Sequence, residues 1–256
     1  MDHPIVSRED WLTARRALLA KEKALTRLGD DLAAQRRALP WVEVEKPYTF
    51  DGPDGPLSLS DLFAGRSQLF VKHFMMGPGQ TEQCVGCAFE ADHMAGILVH
   101  LENHDLSYAA IARAPIAEIE AYKSRMGWTF PFVSSFHSDF NYDFNVSYTP
   151  QQIAEQRALY NFRETDPGLE DQSGNSVFYK DETGRIFLTY SCFSRGGERF
   201  LGAYAYIDVT PLGRQENGPT GSLADWVRPH DMYGQGGEVA RSGRYHPPAC
   251  GCGAHK

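Results

Sequence analysis

The feature that most constrains this chain is the segment Leu69-Phe70-Val71-Lys72-His73-Phe74-Met75-Met76. It is a largely apolar run rich in β-forming residues, closed by Gly77-Pro78-Gly79, and it predicts a fully buried strand. A second apolar run covers residues 105–112, and helical patterns precede and follow it. The first of these reaches to about His104. The next opens at Pro115, carries Ile116, Ile119, Tyr122 and Lys123 at helical spacing, and closes at Gly127. Residues 128–134 form a third extended stretch. Strands that alternate with helices predict an α/β domain with parallel central strands. Later, residues 176–180 and 185–191 alternate around Asp181-Glu182-Thr183-Gly184, which predicts a hairpin that adds antiparallel edge strands.

The flanks read differently. Residues 7–39 predict one long amphipathic helix, with Ser7 as cap and Asp10 three residues on. Trp11, Leu18, Leu25, Leu32 and Leu39 recur at every seventh position and form one apolar seam. The seam is expected to pack on the chain's own body, with a homodimer through this helix as the alternative. Pro40 stops the helix. Residues 48–55 predict a strand and turn, 58–63 a short capped helix, 140–148 an aromatic short helix or loop, and 151–162 a helix. A polar loop follows at 163–174 and a closing helix at 198–208. From Pro211 onward Gly and Pro are frequent, so an irregular tail is expected. The organisation is therefore an N-terminal helix (1–40), an α/β domain (41–210) and a tail (211–256).

Thirty-three acidic and twenty-five basic residues give a formal charge of −8, which argues against a nucleic-acid partner, because phosphate recognition rests on a basic face. Hydrophobic residues at 42 % and charged residues at 23 % are globular values. A chain this long hides roughly 70–75 % of its unfolded surface and needs no disulfides to hold a core. No stretch approaches the ~20 apolar residues that span a bilayer. Met1-Asp2-His3-Pro4 has neither a basic nor an apolar leader region, so a cytoplasmic, reducing compartment is expected. There, five cysteines point to chemistry or metal rather than staples.

The chemistry concentrates at Cys84-Val85-Gly86-Cys87, between the buried strand and a helix. A helix N-terminus offers unpaired N–H groups and partial positive charge, and both favour a thiolate over a thiol. Such a place lowers a cysteine pKa from ~8.5 into the range of roughly 3.5 to 7.5. Cys84 is expected to be the nucleophile and Cys87, one turn deeper, the resolving thiol. Two other readings stand beside this one. The pair is inert, or it is half of a zinc site completed by Cys250 and Cys252, whose four sulfurs suit a tetrahedral metal. The tail pair with His246 and His255 is a further metal set. Without metal, no cofactor is expected. Cys192, at a strand end, reads as a buried free thiol.

Other candidates are weaker. His73 reads as a core or edge histidine rather than a catalytic base. His137, Asp139 and Asp143 read as a loop that caps a helix. Arg113 closes the second strand, at the end where α/β folds place ligands, and a surface ion pair is its commoner use. Trp226, Arg228, His230 and Asp231 read as residues that dock the tail. No dinucleotide fingerprint, P-loop or nucleophile elbow is present.

At Cys84 and Cys87 the chain resembles the thioredoxin superfamily, and it is similar above all to bacterial thioredoxin-like proteins grouped as a domain-of-unknown-function family. The resemblance runs through His3-Pro4-Ile5-Val6-Ser7-Arg8-Glu9-Asp10-Trp11, Phe74-Met75-Met76-Gly77-Pro78, Arg125-Met126-Gly127-Trp128 and Ile207-Asp208-Val209-Thr210-Pro211. It implies a thioredoxin-like α/β fold with a central mixed sheet flanked by helices. It also implies a thiol, disulfide or peroxide substrate, with the reducing partner unnamed. The chain departs from thioredoxins in Gln83, where they carry tryptophan, and in Ser176, where they carry a cis-proline. Thr81 keeps the T-x-x-C spacing of peroxiredoxins, but Pro78 lies one residue closer to it than their pattern requires.

Overall fold

The structure, a computed structural model, describes residues 3–248. The chain divides into two compact units, Met1–Trp41 and Val42–Lys256. The first is the helix α1 (Arg8–Arg37). Ser7 caps it: its Oγ accepts the Asp10 N–H at 3.1 Å and donates to the Asp10 carboxylate at 2.7 Å. Glu9 and Asp10 stand at the positive end of the helix dipole, and Arg36 and Arg37 at the negative end.

The second unit is built on ten strands and six helices before its final hairpin. The strands are β1 (Val42–Glu43), β2 (Thr49–Gly52), β3 (Gly55–Ser58), β4 (Gln68–His73), β5 (Leu106–Ala112), β6 (Phe132–Ser134), β7 (Ala158–Tyr160), β8 (Arg163–Thr165), β9 (Gly174–Lys180) and β10 (Ile186–Phe193). The helices are α2 (Val85–Asp92), α3 (Leu98–Asn103), α4 (Ile116–Met126), α5 (Phe140–Asp143), α6 (Pro150–Ala154) and α7 (Gly202–Ile207). Eight strands form one sheet in the order β1-β10-β9-β4-β5-β6-β2-β3. The pairs β4/β5 and β5/β6 are parallel, and β9 and β10 join antiparallel. A parallel pair crossed over by helices, with an antiparallel hairpin on its other side, is the thioredoxin-like arrangement, here extended by β6 and the β2/β3 hairpin.

Alternation along β4 decides which side chains meet the site. Phe70 packs with Tyr108, Ala110 and Ala112 in the core under α2 and α4, whereas Leu69 and Val71 pack with Ala109, Ile111 and Phe178 in the core on the other face. Lys72 therefore lies on the α2 face and His73 on the opposite one. There His73 stacks with Phe140 and Phe144 at centroid distances of 5.6 and 5.9 Å.

Several elements differ from the sequence reading. The helix expected up to His104 is two, α2 and α3. His93 accounts for the end of the first, since its Nδ1 lies 2.6 Å from Phe89 O while its Nε2 accepts the Ala203 N–H at 2.9 Å. The helix expected at 151–162 stops at Ala154, because Gln156 takes a left-handed φ of 51°. The β7/β8 hairpin follows, turning on Asn161 and Phe162 at φ 49° and 64°. The closing helix is a 3-10 segment, Ser194–Phe200, followed by α7.

Beyond α7 the chain wraps α2. Short 3-10 turns at Leu223–Asp225 and His230–Met232 lead to a two-stranded ribbon, β11 (Glu238–Val239) and β12 (Tyr245–His246). Val227 and Tyr245 join Val85, Phe89, Leu201 and Tyr204 in a third apolar cluster.

Candidate functional site

Cys84 is the N-cap of α2, with extended backbone angles of −66° and 119°. Its Sγ accepts the Cys87 N–H at 3.4 Å, in the manner of a capping oxygen. Cys84, Cys87 and Glu90 follow at three-residue intervals, so they share one face of α2 and lie over β4. Cys84, Cys87 and Cys192 carry free thiols and are buried.

Under that face lies Lys72, which is 1 % exposed. Its Nζ donates to Glu90 Oε2 at 2.7 Å and to Ser173 Oγ at 2.9 Å. Asn175 pairs with Lys72 across the sheet and, in the amide orientation that satisfies both its atoms, donates to Glu90 Oε1 at 2.9 Å. Cys192 is the next residue along this row, opposite Asn175 in β10. Burial alone would push Lys72 toward neutrality, but Glu90 and the two thiols hold it firmly protonated. Sequence reasoning passed over Lys72 and Glu90. The signal was present in the parity of β4 and in the three-residue step from Cys87.

The same charges set the thiols apart. Burial would raise Cys87, yet the hydrogen bond from Cys84, the Lys72 ammonium, the Met75 N–H and Ser173 outweigh it and bring the thiol down to about 6. Cys84 moves the other way, raised by its hydrogen bond with Cys87 and by burial. Cys84 was the expected acidic thiol; the groups around the pair favour the anion at Cys87. Both thiols feel the Lys72 ammonium, but Cys87 also meets the Met75 N–H and the Ser173 hydroxyl.

Two surfaces approach the pair. A cavity of about 300 Å³ is lined by Cys84, Cys87, Cys192, Lys72, Asn175 and residues at its charged mouth. On another side the C-terminal chain crosses Cys84 as a strap. Arg244 forms an antiparallel bridge with Cys84, the Val85 N–H donates to Gly243 O at 2.8 Å, and the Tyr245 N–H donates to Gln83 O at 3.3 Å. Cys84 is 7 % exposed.

The other sequence candidates have structural partners. His73 is buried, with Nε2 2.9 Å from Ser176 Oγ, and burial and Lys72 lower it to about 3. Ser176 sits inside β9, and no cis peptide occurs among the described residues. Arg113 makes a bidentate pair with Asp171 at 2.7 and 2.9 Å, an ion pair more buried than expected. Lys46 bonds Asp139 and Asp143, and His137 bonds Asp51. In the tail, His230 bonds Asp92, Asp231 clamps Arg125, and Trp226 packs edge-on to Phe89. His246 lies 3.8 Å from Glu82. Cys250, Cys252 and His255 lie outside the described residues, and among the described residues no group of three or more His, Cys, Asp or Glu side chains is placed to hold a metal. No helix among the described residues is long and apolar enough to cross a membrane.

Among solved structures the chain is similar to peroxidoxin BcpB from Mycobacterium tuberculosis. The identity is 14 % over 63 % of this chain and 94 % of that one, with a TM-score of 0.43. It is also similar to peroxiredoxin Q from Xanthomonas campestris, at 14 % identity over 62 % and 89 % of the two chains and a TM-score of 0.41. A third is the mitochondrial 2-cys peroxiredoxin from Plasmodium falciparum, at 14 % identity over 66 % and 94 % and a TM-score of 0.37. No curated protein matches the chain. Residues 1–233 match a family described as bacterial protein of unknown function (DUF899), and the chain belongs to that family.

Proposed function

We propose that the protein is a thiol–disulfide oxidoreductase in which Cys84 and Cys87 alternate between dithiol and disulfide. The observation that carries this reading is the buried ammonium of Lys72 beside Cys87, the thiol brought down to about 6. A sulfur whose anion is stabilised is the better leaving group, and a stabilised dithiol makes its disulfide more oxidising.

In the oxidised form a substrate thiolate attacks Cys84 Sγ. The Cys84–Cys87 bond breaks, and Cys87 departs as a thiolate held by Lys72 and Ser173. The substrate is left in a mixed disulfide with Cys84. A second substrate thiolate then attacks the substrate sulfur of that bond and releases Cys84, which takes a proton. Two substrate thiols become a disulfide, and the two protein sulfurs gain the electrons. A small hydroperoxide fits the cavity that reaches Cys87 and supplies the oxidant for the return. The Cys87 thiolate attacks its distal oxygen, the O–O bond breaks, and the leaving alkoxide takes a proton. Cys84 then attacks the sulfenic sulfur, water leaves, and the disulfide closes.

Peptide mapping after oxidation with diamide tests the reading. The expected product is a Cys84–Cys87 disulfide, reversed by dithiothreitol and lost in Cys84→Ser and in Cys87→Ser. Two sulfurs that remain open to alkylation after oxidation leave no exchange pair.

A further inference from the structure

On the face of the sheet opposite the thiols, a second cavity of about 360 Å³ opens beside the core around Phe140 and Phe178. Val44, Phe144 and Leu188, at the edge of that core, form part of its wall. β10 reaches the cavity twice because of a bulge. Its register with β9 shifts between Leu188 and Tyr190, so Leu188 and Ser191 stand on one face although they are three residues apart. Cys192, the next residue, lines the thiol cavity instead.

Three wall residues hold left-handed backbone: Asn145, Asn161 and Phe162, at φ 55°, 49° and 64°. Such angles are costly in a bulky residue, and they cluster around ligand sites. Burial does not compensate Phe162, which is 74 % exposed and stands edge-on to Phe193 at 5.4 Å. An aromatic ligand in the cavity would cover it.

The inner end of the cavity presents a hydrogen-bond donor. His73 Nε2 lies 2.9 Å from Ser176 Oγ, and Ser176 Oγ lies 3.2 Å from Ser191 Oγ in the cavity wall. Burial keeps the imidazole neutral, and its Nδ1 is enclosed without a partner among the described residues. A buried N–H left unpaired is rarer than a bare acceptor, so the proton belongs on Nε2. The chain then runs one way. His73 donates to Ser176, Ser176 donates to Ser191, and the Ser191 hydroxyl hydrogen is left to meet an acceptor in the cavity.

The outer end is acidic. Glu43, Glu45 and Asp143 line it against one cation, Lys46, whose ammonium is already held by Asp139 and Asp143 at 2.8 and 2.7 Å. Glu43 and Glu45 are exposed. An apolar cavity with a few polar groups at its ends is the usual form of a small-molecule site.

We propose that this cavity binds a small aromatic amine that carries an oxygen at the far end of its ring. The ring lies among Phe144, Phe162 and Phe193, the oxygen accepts from Ser191, and the ammonium meets Glu43 and Glu45. The site is separate from the thiol pair and does not depend on its chemistry.

Equilibrium dialysis of the full chain tests the site with three probes. They are tyramine, 3-(4-hydroxyphenyl)propionate, which exchanges the amine for a carboxylate, and phenethylamine, which lacks the ring oxygen. Tyramine is expected to bind about tenfold more tightly than the propionate. Its expected advantage over phenethylamine is about fivefold, the equivalent of one net hydrogen bond. Added salt should narrow the first ratio and leave the second. Glu43→Gln with Glu45→Gln, changed only at exposed positions, should bring tyramine and the propionate within about threefold of each other. Ser191→Ala should bring tyramine and phenethylamine level. Equal affinity for tyramine and the propionate in the unsubstituted chain overturns the proposal. So does tyramine binding that neither variant changes, which puts the amine elsewhere on the protein, and so does the absence of tyramine binding at millimolar concentration.

Discussion

Lys72 Nζ and Glu90 Oε2 stand 2.7 Å apart with their side chains 2 % and 7 % exposed, directly beneath the thiol pair. Taking both charges out of water is costly, and the attraction between them offsets that cost only when their remaining hydrogen bonds are made. Ser173 and Asn175 make them. An apolar pair of similar volume would be about as stable, so stability alone does not account for this one. Its position accounts for it: the ammonium lowers the Cys87 thiol, and the carboxylate keeps the ammonium in place.

Removing the cation should affect both chemistry and stability. In Lys72→Met the Cys87 thiol should return from about 6 toward the ordinary ~8.5. Glu90 would be left buried without its partner, at a cost of about 3–5 kcal/mol in denaturant unfolding. The double variant Lys72→Met with Glu90→Gln should recover much of that stability while the thiol stays high. Urea midpoints and thiolate absorbance, followed together, separate the two effects.

The reduced protein should lose stability in acid for a defined reason. Cys87 has a folded value of about 6, below its unfolded ~8.5. The anion's contribution is therefore fully present above ~8.5 and is lost as pH falls through about 6. The disulfide form has no such group. The same proton count sets the pH dependence of the reduction potential. Below about 6 two protons accompany two electrons and the potential should fall by ~59 mV per pH unit; above it one proton remains and the slope should halve to ~30 mV. Potentials measured against a glutathione series from pH 5 to 8 give the break point, on the order of the Cys87 value.

The loop that delivers Cys84 should depend on a strut outside the site. Asp171 accepts from Arg113 at 2.7 and 2.9 Å and from Ser147 at 2.7 Å, and a Cβ on Gly77 would meet its Oδ2 at 2.7 Å. Asp171→Ala leaves the half-buried Arg113 with only the exposed Glu170 carboxylate at 3.3 Å and the Tyr142 hydroxyl at 3.2 Å, and should cost about 2 kcal/mol. It also frees the turn that begins at Gly77, so closure of the Cys84–Cys87 disulfide should slow even where the protein stays folded. Stopped alkylation after a diamide pulse measures that rate.

Much of this architecture was legible in the residues. The apolar run at 69–76 predicted a buried strand, which the structure shows as Gln68–His73 with Phe74, Met75 and Met76 continuing as buried loop, and the Cys-x-x-Cys after it was expected where a strand passes into a helix; Cys84 caps α2 as that pattern requires. The site's second half was legible in principle. Lys72 shares its parity with Phe70, and Glu90 lies one further turn from Cys87, so both had to face the thiols once β4 and α2 were placed. His73, read as a core or edge histidine, is buried in the opposite core against Phe140. The β7/β8 turn was hidden because Phe162 adopts a left-handed angle that its residue type rarely takes. The strap was hidden for another reason. A Gly- and Pro-rich stretch has no periodicity, and its contact with Cys84 joins residues about 160 positions apart, which no local pattern encodes.

The central claim is that Cys87 is a thiolate near neutral pH because the hydrogen bond from residue 84 and the Lys72 ammonium together stabilise its anion. Titration of thiolate ultraviolet absorbance in the reduced protein tests it most directly. The account predicts a transition near 6 that survives Cys84→Ser, whose hydroxyl still donates to the neighbouring sulfur, and vanishes in Cys87→Ser. A transition near ~8.5 in Cys84→Ser, the value of an unperturbed thiol, would contradict it.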